Sequence, residues 1–358
     1  MRVAFFGSTS PTSFGTENLL WREHLKELGH EVKLYERTDP LNSAAPADLA
    51  FVHPLYSEGD LRGLAGIQSR FTVRGGKDVV NYSYIGPRGR KALASGFWDF
   101  LALPYIPETV RKDWRWPVKL ISWPRGLDRE ITAPVSPVPH QVPRILVWAD
   151  NACWERKGMD ENRDVLLELQ KRGYRFETII KTRYAERALD YFRDVKNKKI
   201  AIHYTDTRTV RRIYDYCDVL LSLHRGGGQE MCPMEAIARG LVVVVPEAGC
   251  SLMYATPKNA VLVPTGQWVP KEPGWIERST DSSDSGFGYE ADVQWAVSEL
   301  GGVLDQLYDR RGRALEEAPR FASRWAVSKI VRENWAGLLE EFPVLGERSR
   351  EAGPALLK

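Results

Sequence analysis

The chain has 358 residues, of which 43% are hydrophobic and 27% are charged, and its formal net charge is +3. This length is sufficient for two hydrophobic cores, and the 12 tryptophans together with the apolar content exclude a disordered chain. The small positive charge is too weak to indicate nucleic acid or an anionic membrane as the main partner. The four cysteines lie apart, without the paired spacing of a metal site, and no stretch approaches about 20 apolar residues. We therefore expect a cytoplasmic protein without a transmembrane segment.

The first third of the chain has the pattern of a parallel α/β domain. Residues 1–7 predict a buried strand, residues 7–18 a turn-rich loop and residues 19–28 an amphipathic helix that ends at Gly29. Further apolar runs predict strands at residues 31–35, 49–52, 78–82 and 118–121. Strands that alternate with helices in this way are typical of a doubly wound sheet.

Prolines mark the end of this first domain. Four of them lie between residues 132 and 143, and they favour an extended connection over a helix or a central strand. We therefore predict an N-terminal domain over residues 1–132 and a linker over residues 133–143.

A second α/β pattern begins after the linker. Strands are predicted at residues 144–148, 175–181, 218–222 and 241–245, and helices at residues 160–172, 207–216 and 233–239. Residues 265–288 lack either periodicity and predict a long surface insertion. Helices at 292–308 and 319–339 and a polar tail over residues 344–358 complete the chain. Two such domains facing each other create a cleft, and ligands of parallel sheets bind beyond the carboxyl ends of the strands.

The segment from Ser222 to Ala236 carries the strongest functional signal. It leads from a buried strand through three glycines into a helix whose first turn holds Pro233, so backbone N–H groups and the positive end of the helix face the cleft. Such an arrangement binds a diphosphate, to which Arg225 adds a charged donor, while Glu235 accepts hydrogen bonds from a ribose. The alternative is a simple turn with a solvated arginine.

Lys157, followed by Gly158, is the second candidate. It follows the first strand of the second domain, and an ammonium there could neutralise the charge that develops on a departing diphosphate. A solvated loop lysine is the alternative.

The order of these motifs resembles that of GT-B glycosyltransferases, specifically the retaining family 4, also called glycosyl transferases group 1. The resemblance extends over nearly the whole chain. The matching segments are Gly15-Thr16-Glu17, Pro124-Arg125-Gly126-Leu127-Asp128, Lys157-Gly158, Glu235 to Gly240, Asn259 to Pro264, and Arg324-Trp325.

The resemblance implies a GT-B fold of two Rossmann-like domains. The N-terminal domain would bind the acceptor, residues 144–318 would form the nucleotide-sugar donor domain, and residues 319–343 would form a helix that returns to the N-terminal domain. It also implies a nucleotide-sugar-dependent hexosyltransferase that uses a UDP- or GDP-type donor and retains the configuration of the sugar.

The site implied by the resemblance contains catalytic and donor-binding residues. The catalytic candidates are Lys157, Arg225 and His224. The donor-binding candidates are Gly15, Thr16, Gly227, Gly228, Gln229, Glu230, Met231, Cys232 and Glu235. The chain contains no Asp-x-Asp, the usual diphosphate metal site of sugar transferases, so we expect no metal and no cofactor beyond the donor substrate.

The chain departs from the family pattern at two positions. Gly227 stands where the first glutamate of the Glu-x7-Glu segment would contact the transferred sugar, and Glu230 is the candidate replacement. Ala152 stands where an arginine would precede Lys157, and either Arg225 or Arg156 could compensate.

The acceptor is left open between a glycan, a lipid-linked sugar and a small molecule. The run of cations and tryptophans from Arg111 to Lys119 could contact a membrane interface, stack on a sugar or base, or hold a phosphate; packing of arginine stems on tryptophans is the structural alternative. Two other functions stay open: a phage-type transferase acting on modified nucleic acid, which the weak net charge disfavours, and a degenerate partner subunit that binds a nucleotide sugar without turnover.

Overall fold

The computed structural model describes residues 1–7, 13–36, 44–53, 70–77, 94, 96, 98–104, 106, 111–112, 114–135, 140–149, 157–182, 184–202, 206–226, 229–268 and 288–351. These residues fall into two compact units. The first comprises the described residues within 1–126 and 327–351, and the second comprises those within 127–268 and 288–326. Across the described ranges, no helix is long and apolar enough to cross a membrane.

Each unit contains a six-stranded, fully parallel sheet. The first sheet has the order β2-β1-β3-β4-β5-β6. Its strands in chain order are β1 (Arg2–Gly7), β2 (Glu31–Tyr35), β3 (Ala47–His53), β4 (Phe71–Lys77), β5 (Phe100–Leu103) and β6 (Lys119–Ser122). The second sheet has the order β12-β11-β10-β7-β8-β9. Its strands are β7 (Arg144–Ala149), β8 (Glu177–Thr182), β9 (Lys198–Ile202), β10 (Val219–Leu221), β11 (Val242–Pro246) and β12 (Ala260–Val263).

A short antiparallel pair, ten α-helices and one 3-10 helix (Gly249–Met253) complete the described elements. The pair is β13 (Thr265–Trp268) with β14 (Gly288–Ala291). The helices are α1 (Ser13–Glu27), α2 (Arg129–Thr132), α3 (Met159–Lys171), α4 (Ala185–Tyr191), α5 (Thr207–Asp215), α6 (Met231–Ala238), α7 (Val293–Asp305), α8 (Leu307–Trp325), α9 (Val327–Glu341) and α10 (Pro343–Glu351).

The central strands of both sheets are buried on their two faces, as their continuous apolar runs predict, whereas the edge strands β2, β6 and β12 are partly exposed. In β1, Val3 and Phe5 pack on one side, and Ala4 and Phe6 pack on the other. Helices α1 and α9 cover the Val3 side, where Trp335 is among the buried residues. In the second unit, β7, β10 and β11 pack against the apolar faces of α3 and α7. The prediction of an α/β fold with two doubly wound domains is confirmed.

Helix α1 begins six residues earlier than predicted, at Ser13 rather than residue 19. The Gly15 and Thr16 segment, predicted as a loop, therefore lies inside a helix. Packing is the physical reason, because the Asn18 side chain fills the space beside Gly7 and its Nδ2 donates to the His53 carbonyl at 3.3 Å. This tertiary contact outweighs the turn preference of the sequence.

The fourth strand of the first sheet is β4, which was not predicted, and the predicted strand at 78–82 lies outside the described residues. Gly75 and Gly76 give β4 the local pattern of a turn. In the fold, Gly75 is needed because the Phe100 ring occupies the space that a Cβ would take.

The C-terminal helices also differ from the prediction. Helix α8 starts at Leu307 and runs through Pro319, where the sequence predicted a new helix, and the break comes at Ala326. Burial of Phe321 and Trp325 stabilises the helix after the proline. Residues 344–351 of the predicted polar tail belong to α10, and residues 352–358 lie outside the described part. The predicted insertion at 265–288 begins with β13 and ends at the start of β14, with residues 269–287 outside the described part.

The tryptophans of the predicted acceptor run pack inward. Trp114 and Trp116 lie against the core of the first unit, and Trp114 Nε1 donates to the Val118 carbonyl at 2.6 Å. Packing of arginine stems on these tryptophans, the structural alternative for that run, stays a prediction.

Candidate functional site

The order in which the chain adds strands to the second sheet reverses between the neighbouring strands β7 and β10. From β7 the chain adds β8 and β9 on one side, and from β10 it adds β11 and β12 on the other. Ligands of open parallel sheets bind at such a switch point, beyond the carboxyl ends of the strands. Beyond β7 the described chain resumes in a short loop at residues 157–158, which contains Lys157, and beyond β10 it forms a second loop over residues 222–226 that precedes Glu230. The chain therefore brings two predicted site residues, 73 positions apart in sequence, to the same edge of the sheet.

The two loops are packed directly on each other. Gly158 has a φ of 61°, and a Cβ there would overlap the Leu223 carbonyl oxygen. Buried Asn162 joins both loops, since its Oδ1 accepts from Leu223 N at 3.0 Å and its Nδ2 donates to the Lys157 carbonyl at 3.4 Å. These contacts fix the backbone of Lys157, and its side chain extends from there to Glu230.

Lys157 and Glu230 form an ion pair whose side chains are 16% and 11% exposed. Glu230 is the N-cap residue of α6, but its side chain makes no capping hydrogen bond to the helix. The carboxylate is turned to Lys157 instead. This pair lies at the start of the helix, where the positive end of the helix dipole favours negative charge.

Glu235 is held by a tyrosine that the sequence analysis missed. Tyr214 Oη donates to Glu235 Oε2 at 2.7 Å. Burial of Tyr214, together with the nearby Glu235 charge, raises the pKa of the phenol well above its usual value. Because that hydroxyl stays protonated, it is a permanent donor to the carboxylate. Trp148 stacks on the Tyr214 ring with a centroid distance of 5.7 Å.

Lys181 is a second cation near this helix start, also missed by the sequence analysis. It lies near the carboxyl end of β8 beside Trp148 on β7, and its Nζ is 3.3 Å from the centre of the indole ring. Only 4% of Lys181 is exposed. The sequence feature that could have indicated Lys181 is a lysine near the end of an otherwise apolar strand. A lysine at a solvated strand end gives the same pattern.

Cys232, in the first turn of α6, lies near four charged side chains, those of Lys157, Lys181, Glu230 and Glu235. Burial and the Glu235 charge raise the pKa of the Cys232 thiol to about 12, while Lys157 and Lys181 act in the opposite direction. The thiol therefore stays neutral and contributes no nucleophile near pH 7. Among the described residues around Cys232, the formal charges balance, with the two ammonium groups of Lys157 and Lys181 and the two carboxylates of Glu230 and Glu235.

Arg225, a predicted catalytic residue, points into the protein. Its side chain is 1% exposed, and its Nε lies 2.6 Å from Glu161 Oε1, with Asp160 Oδ2 at 3.7 Å from Nη2. Burial raises the pKa of Glu161, and the Arg225 charge opposes that rise. These contacts fasten the loop after β10 to the first turn of α3. Direct contact of Arg225 with a diphosphate stays a prediction.

His224, also predicted as catalytic, is 1% exposed. Its Nδ1 is 3.2 Å from the Ser222 carbonyl, and its Nε2 is 3.5 Å from Ser251 Oγ and 3.9 Å from Cys250 Sγ. The ring also contacts the edge of Tyr289 on β14. His224 therefore links the loop after β10 to its neighbours, and its catalytic role stays a prediction.

The remaining predicted donor residues divide between the two units. Gln229 is buried and its Nε2 donates to Met234 Sδ at 2.9 Å, whereas Met231 is half-buried at the start of α6. Gly227 and Gly228 lie outside the described residues. Gly15 and Thr16 belong to α1 of the first unit, where Gly15 is buried and Thr16 is half-buried, and their contact with a donor stays a prediction.

Comparison with solved structures identifies the fold. Sucrose-phosphate synthase from Thermosynechococcus elongatus matches with a TM-score of 0.65 and 13% identity, over 96% of this chain and 99% of its own. A glycosyltransferase from Rickettsia africae gives 0.65 and 12%, over 96% and 98%. Anabaena HepE in complex with UDP and glucose gives 0.63 and 12%, over 95% and 100%. The chain has the GT-B fold, and the predicted resemblance to GT-B glycosyltransferases is confirmed.

Sequence comparison gives one further similarity. The chain is 27% identical over 259 residues, 70% of each sequence, to "Putative glycosyltransferase 45" of Sulfolobus islandicus filamentous virus (isolate Iceland/Hveragerdi). No protein-family model matches the chain.

Proposed function

We propose that this chain is a glycosyltransferase that moves a sugar from a nucleotide-diphosphate sugar to an acceptor hydroxyl. The observation that carries the proposal is the meeting of Lys157, Lys181, Glu230 and Glu235 around the first turn of α6, at the switch point of the second sheet. The GT-B fold supports it, since the similar HepE was crystallised with UDP and glucose. The similarity to a viral protein named as a glycosyltransferase points the same way.

Lys157 is the group we assign to the leaving diphosphate. Its ammonium is already near the start of α6, where the positive end of the helix dipole stabilises developing negative charge. The diphosphate of the donor must displace the Glu230 carboxylate from Lys157, so donor binding replaces an internal ion pair with an ion pair between Lys157 and phosphate. Lys181, behind it, adds a second positive charge to the same region.

Glu235 is the group we assign to the ribose of the donor. Tyr214 occupies one of its oxygens and orients the carboxylate, and the partly exposed side chain can accept hydrogen bonds from the two ribose hydroxyls. Glu230, once separated from Lys157, is the candidate for contact with the transferred sugar. That assignment would replace the carboxylate that Gly227 lacks.

The reaction follows from these assignments. The acceptor oxygen bonds to the anomeric carbon on the face from which the diphosphate departs, the carbon–oxygen bond to the diphosphate breaks, and the hydroxyl proton leaves with the diphosphate. This retaining course, like a UDP- or GDP-type donor, is what the family resemblance implies. We propose that Lys157, Lys181 and the N-terminal end of α6 supply the positive charge that a metal ion supplies in Asp-x-Asp enzymes. We also propose that the enzyme works in the cytoplasm.

The test is nucleotide release from a panel of UDP- and GDP-sugars, with and without acceptor extracts. Lys157→Ala should lower release about 10² to 10³-fold, the size of effect expected for one group that stabilises transition-state charge. Lys199→Ala is the matched control, because Lys199 also pairs with a carboxylate of the second unit, Glu177, but at the opposite edge of the sheet. Release that is equal in both variants would refute the role of Lys157. UDP binding without any release would identify a donor-binding partner subunit instead.

A further inference from the structure

Helix α6 is held at both of its ends by neighbouring residues of α5. Near its start, Tyr214 Oη donates to Glu235 Oε2 at 2.7 Å. At its end, the C-cap residue Arg239 meets the Asp215 carboxylate, with Nε and Nη2 at 2.7 and 2.6 Å from Oδ1. The two partners on α5 are adjacent in sequence, and the two on α6 are one helical turn apart. Both contacts therefore fix the same register of α6 against α5.

The Arg239 side chain is only 1% exposed, and all its polar groups have partners. Besides its two contacts with Asp215, its Nη1 donates to the carbonyls of Ile131, at 3.2 Å, and Ala133. Arg239 thus makes charge-assisted hydrogen bonds to two parts of the chain, the end of α5 and the residues just after α2. A planar guanidinium suits this task, because its donors point in several fixed directions.

The two carbonyls that Arg239 binds belong to the stretch with which the chain enters the second unit. This unit begins at Leu127, and we call residues 127–133 the crossing segment. Leu127 N donates to the Trp325 carbonyl at 2.7 Å, at the end of α8, where the chain leaves the unit again. Arg239 therefore joins the helix that carries the predicted donor residues to the segment where the chain enters the unit.

A second ion pair joins the crossing segment to α5 and provides a comparison. Arg211 Nη1 lies 3.1 Å from Glu130 Oε2, and its Nε lies 3.7 Å from Asp215 Oδ2. The side chains of Arg211 and Glu130 are about one-third exposed, so this pair contributes little to stability. Arg211 contacts the same segment and the same carboxylate as Arg239, but among the described residues it pairs with no side chain of α6.

Stability alone is a weak reason for the burial of Arg239. Hydrophobic residues of similar volume often stabilise a protein as well as a buried ion pair does. What a buried pair adds is specificity, because its hydrogen bonds form in one arrangement of the two elements only. A shift of α6 along α5 would break the contact of Arg239 with Asp215 and the contact of Glu235 with Tyr214 together.

We propose that Arg239 is a positioning residue of the donor site. It fixes α6 against α5 so that Glu235 meets Tyr214, and it links this arrangement to the crossing segment. Arg239 acts on the donor through Glu235, and this role rests on the transferase function proposed above; the linkage of α6 to the crossing segment does not. Because such linkage is reciprocal, UDP that orders the start of α6 also orders the crossing segment.

The linkage is tested without ligand, by hydrogen–deuterium exchange of the full chain. Arg239→Gln should speed exchange about tenfold both in the crossing segment and in residues 234–241, the effect of losing one charge-assisted hydrogen bond. Arg211→Gln, the matched control, should speed exchange in the crossing segment alone. Equal effects of the two variants on residues 234–241, or unchanged exchange of the crossing segment in Arg239→Gln, overturn the linkage. Circular dichroism checks folding, and Arg239→Lys, which keeps the charge, replaces a glutamine variant that does not fold.

The role in donor binding is tested by the kinetics of nucleotide release and by calorimetry with UDP. Arg239→Gln should raise the KM for the donor and weaken UDP binding about threefold to tenfold with kcat nearly unchanged, because a contact with the ribose is equal in the ground state and the transition state. Arg239→Lys should restore part of the affinity, and Arg211→Gln should leave it unchanged. A merely structural defect lowers the fraction of folded enzyme, which lowers the apparent kcat and leaves KM unchanged. That result, or equal KM values in the two glutamine variants, overturns the positioning role.

Exchange in the presence of UDP completes the experiment. UDP should slow exchange of the crossing segment in the wild type, and this protection should be lost in Arg239→Gln; protection that persists in the variant overturns the linkage. A wild type that neither binds UDP nor releases nucleotide would refute the proposed transferase. The exchange of the ligand-free chain would still decide whether Arg239 links α6 to the crossing segment, so the two ideas fail separately.

Discussion

Replacement of Glu17 by glutamine should destabilise the protein by about 3 to 5 kcal/mol, the usual cost of removing one partner from a buried ion pair. The change keeps the shape of the side chain but leaves Lys77, 1% exposed, without its carboxylate. The pKa of Glu17 gives an independent value. Its fall from 4.5 to about 2 corresponds to about 3 kcal/mol in favour of the charged form.

The assay is urea unfolding at pH 7, followed by tryptophan fluorescence and circular dichroism. Glu17→Gln, Lys77→Met and the double variant form a double-mutant cycle. We expect the double variant to recover most of the stability lost in Glu17→Gln, because Lys77 is then no longer a buried charge. Asp99→Asn is the control: it also removes a carboxylate that pairs with a cation, but Asp99 is 28% exposed and should cost less than about 1 kcal/mol.

The pH dependence provides the refuting result. Because the pKa of Glu17 is lower in the folded state than in the unfolded state, its stabilisation is complete above about pH 4.5 and is lost as the pH falls towards about 2. The stability difference between wild type and Glu17→Gln should therefore stay constant above about pH 5 and shrink between about pH 4.5 and pH 2. A loss below about 1 kcal/mol at pH 7, or a difference that does not change with pH, would refute the reasoning.

Two further predictions concern the second unit. Tyr214→Phe removes the hydrogen bond to Glu235, and it should cost about 1 to 2 kcal/mol of stability in urea unfolding. The same variant should bind UDP severalfold more weakly in calorimetry, and unchanged UDP affinity would exclude the proposed role of Glu235. Gly158→Ala should cost about 2 kcal/mol more than Gly173→Ala in urea unfolding, because both glycines have positive φ but only at Gly158 would a Cβ overlap the Leu223 carbonyl, and equal costs would contradict the close packing of the two loops.

The sequence was sufficient for the fold because strand burial is a local signal. The run at 31–35 predicted β2 with the observed bounds, and the apolar run at 144–148 predicted all but the last residue of β7. The sequence pattern predicted the wrong element where a residue far away in the chain determines the local conformation. The glycines of β4 look like a turn until Phe100 is beside them, and Pro319 looks like a helix start until the packing of Phe321 is known.

Two buried lysines show the same limit. Lys181 and Lys77 lie at or near strand ends, a place where lysines are commonly solvated, so neither suggested a function on its own. What changes their meaning is contact with residues far away in the chain: Trp148 lies over Lys181, and Glu17 pairs with Lys77 across 60 positions. The Gly-rich segment was found because its residues are adjacent in sequence.

The charged residues around the first turn of α6 have a consequence for substrate binding. In the second unit, Lys157 and Lys181 are matched by Glu230 and Glu235, so an incoming diphosphate must displace a carboxylate. Glu235 is tied to buried Tyr214, whereas Glu230 caps no helix N–H and is bound to the lysine that the diphosphate would take.

Glu230 is therefore the carboxylate that moves, and its release leaves an acceptor of hydrogen bonds for sugar hydroxyls close to the new diphosphate contact. Donor binding should accordingly depend on the strength of the Lys157–Glu230 pair, and UDP itself should bind more tightly to Glu230→Gln than to the wild type.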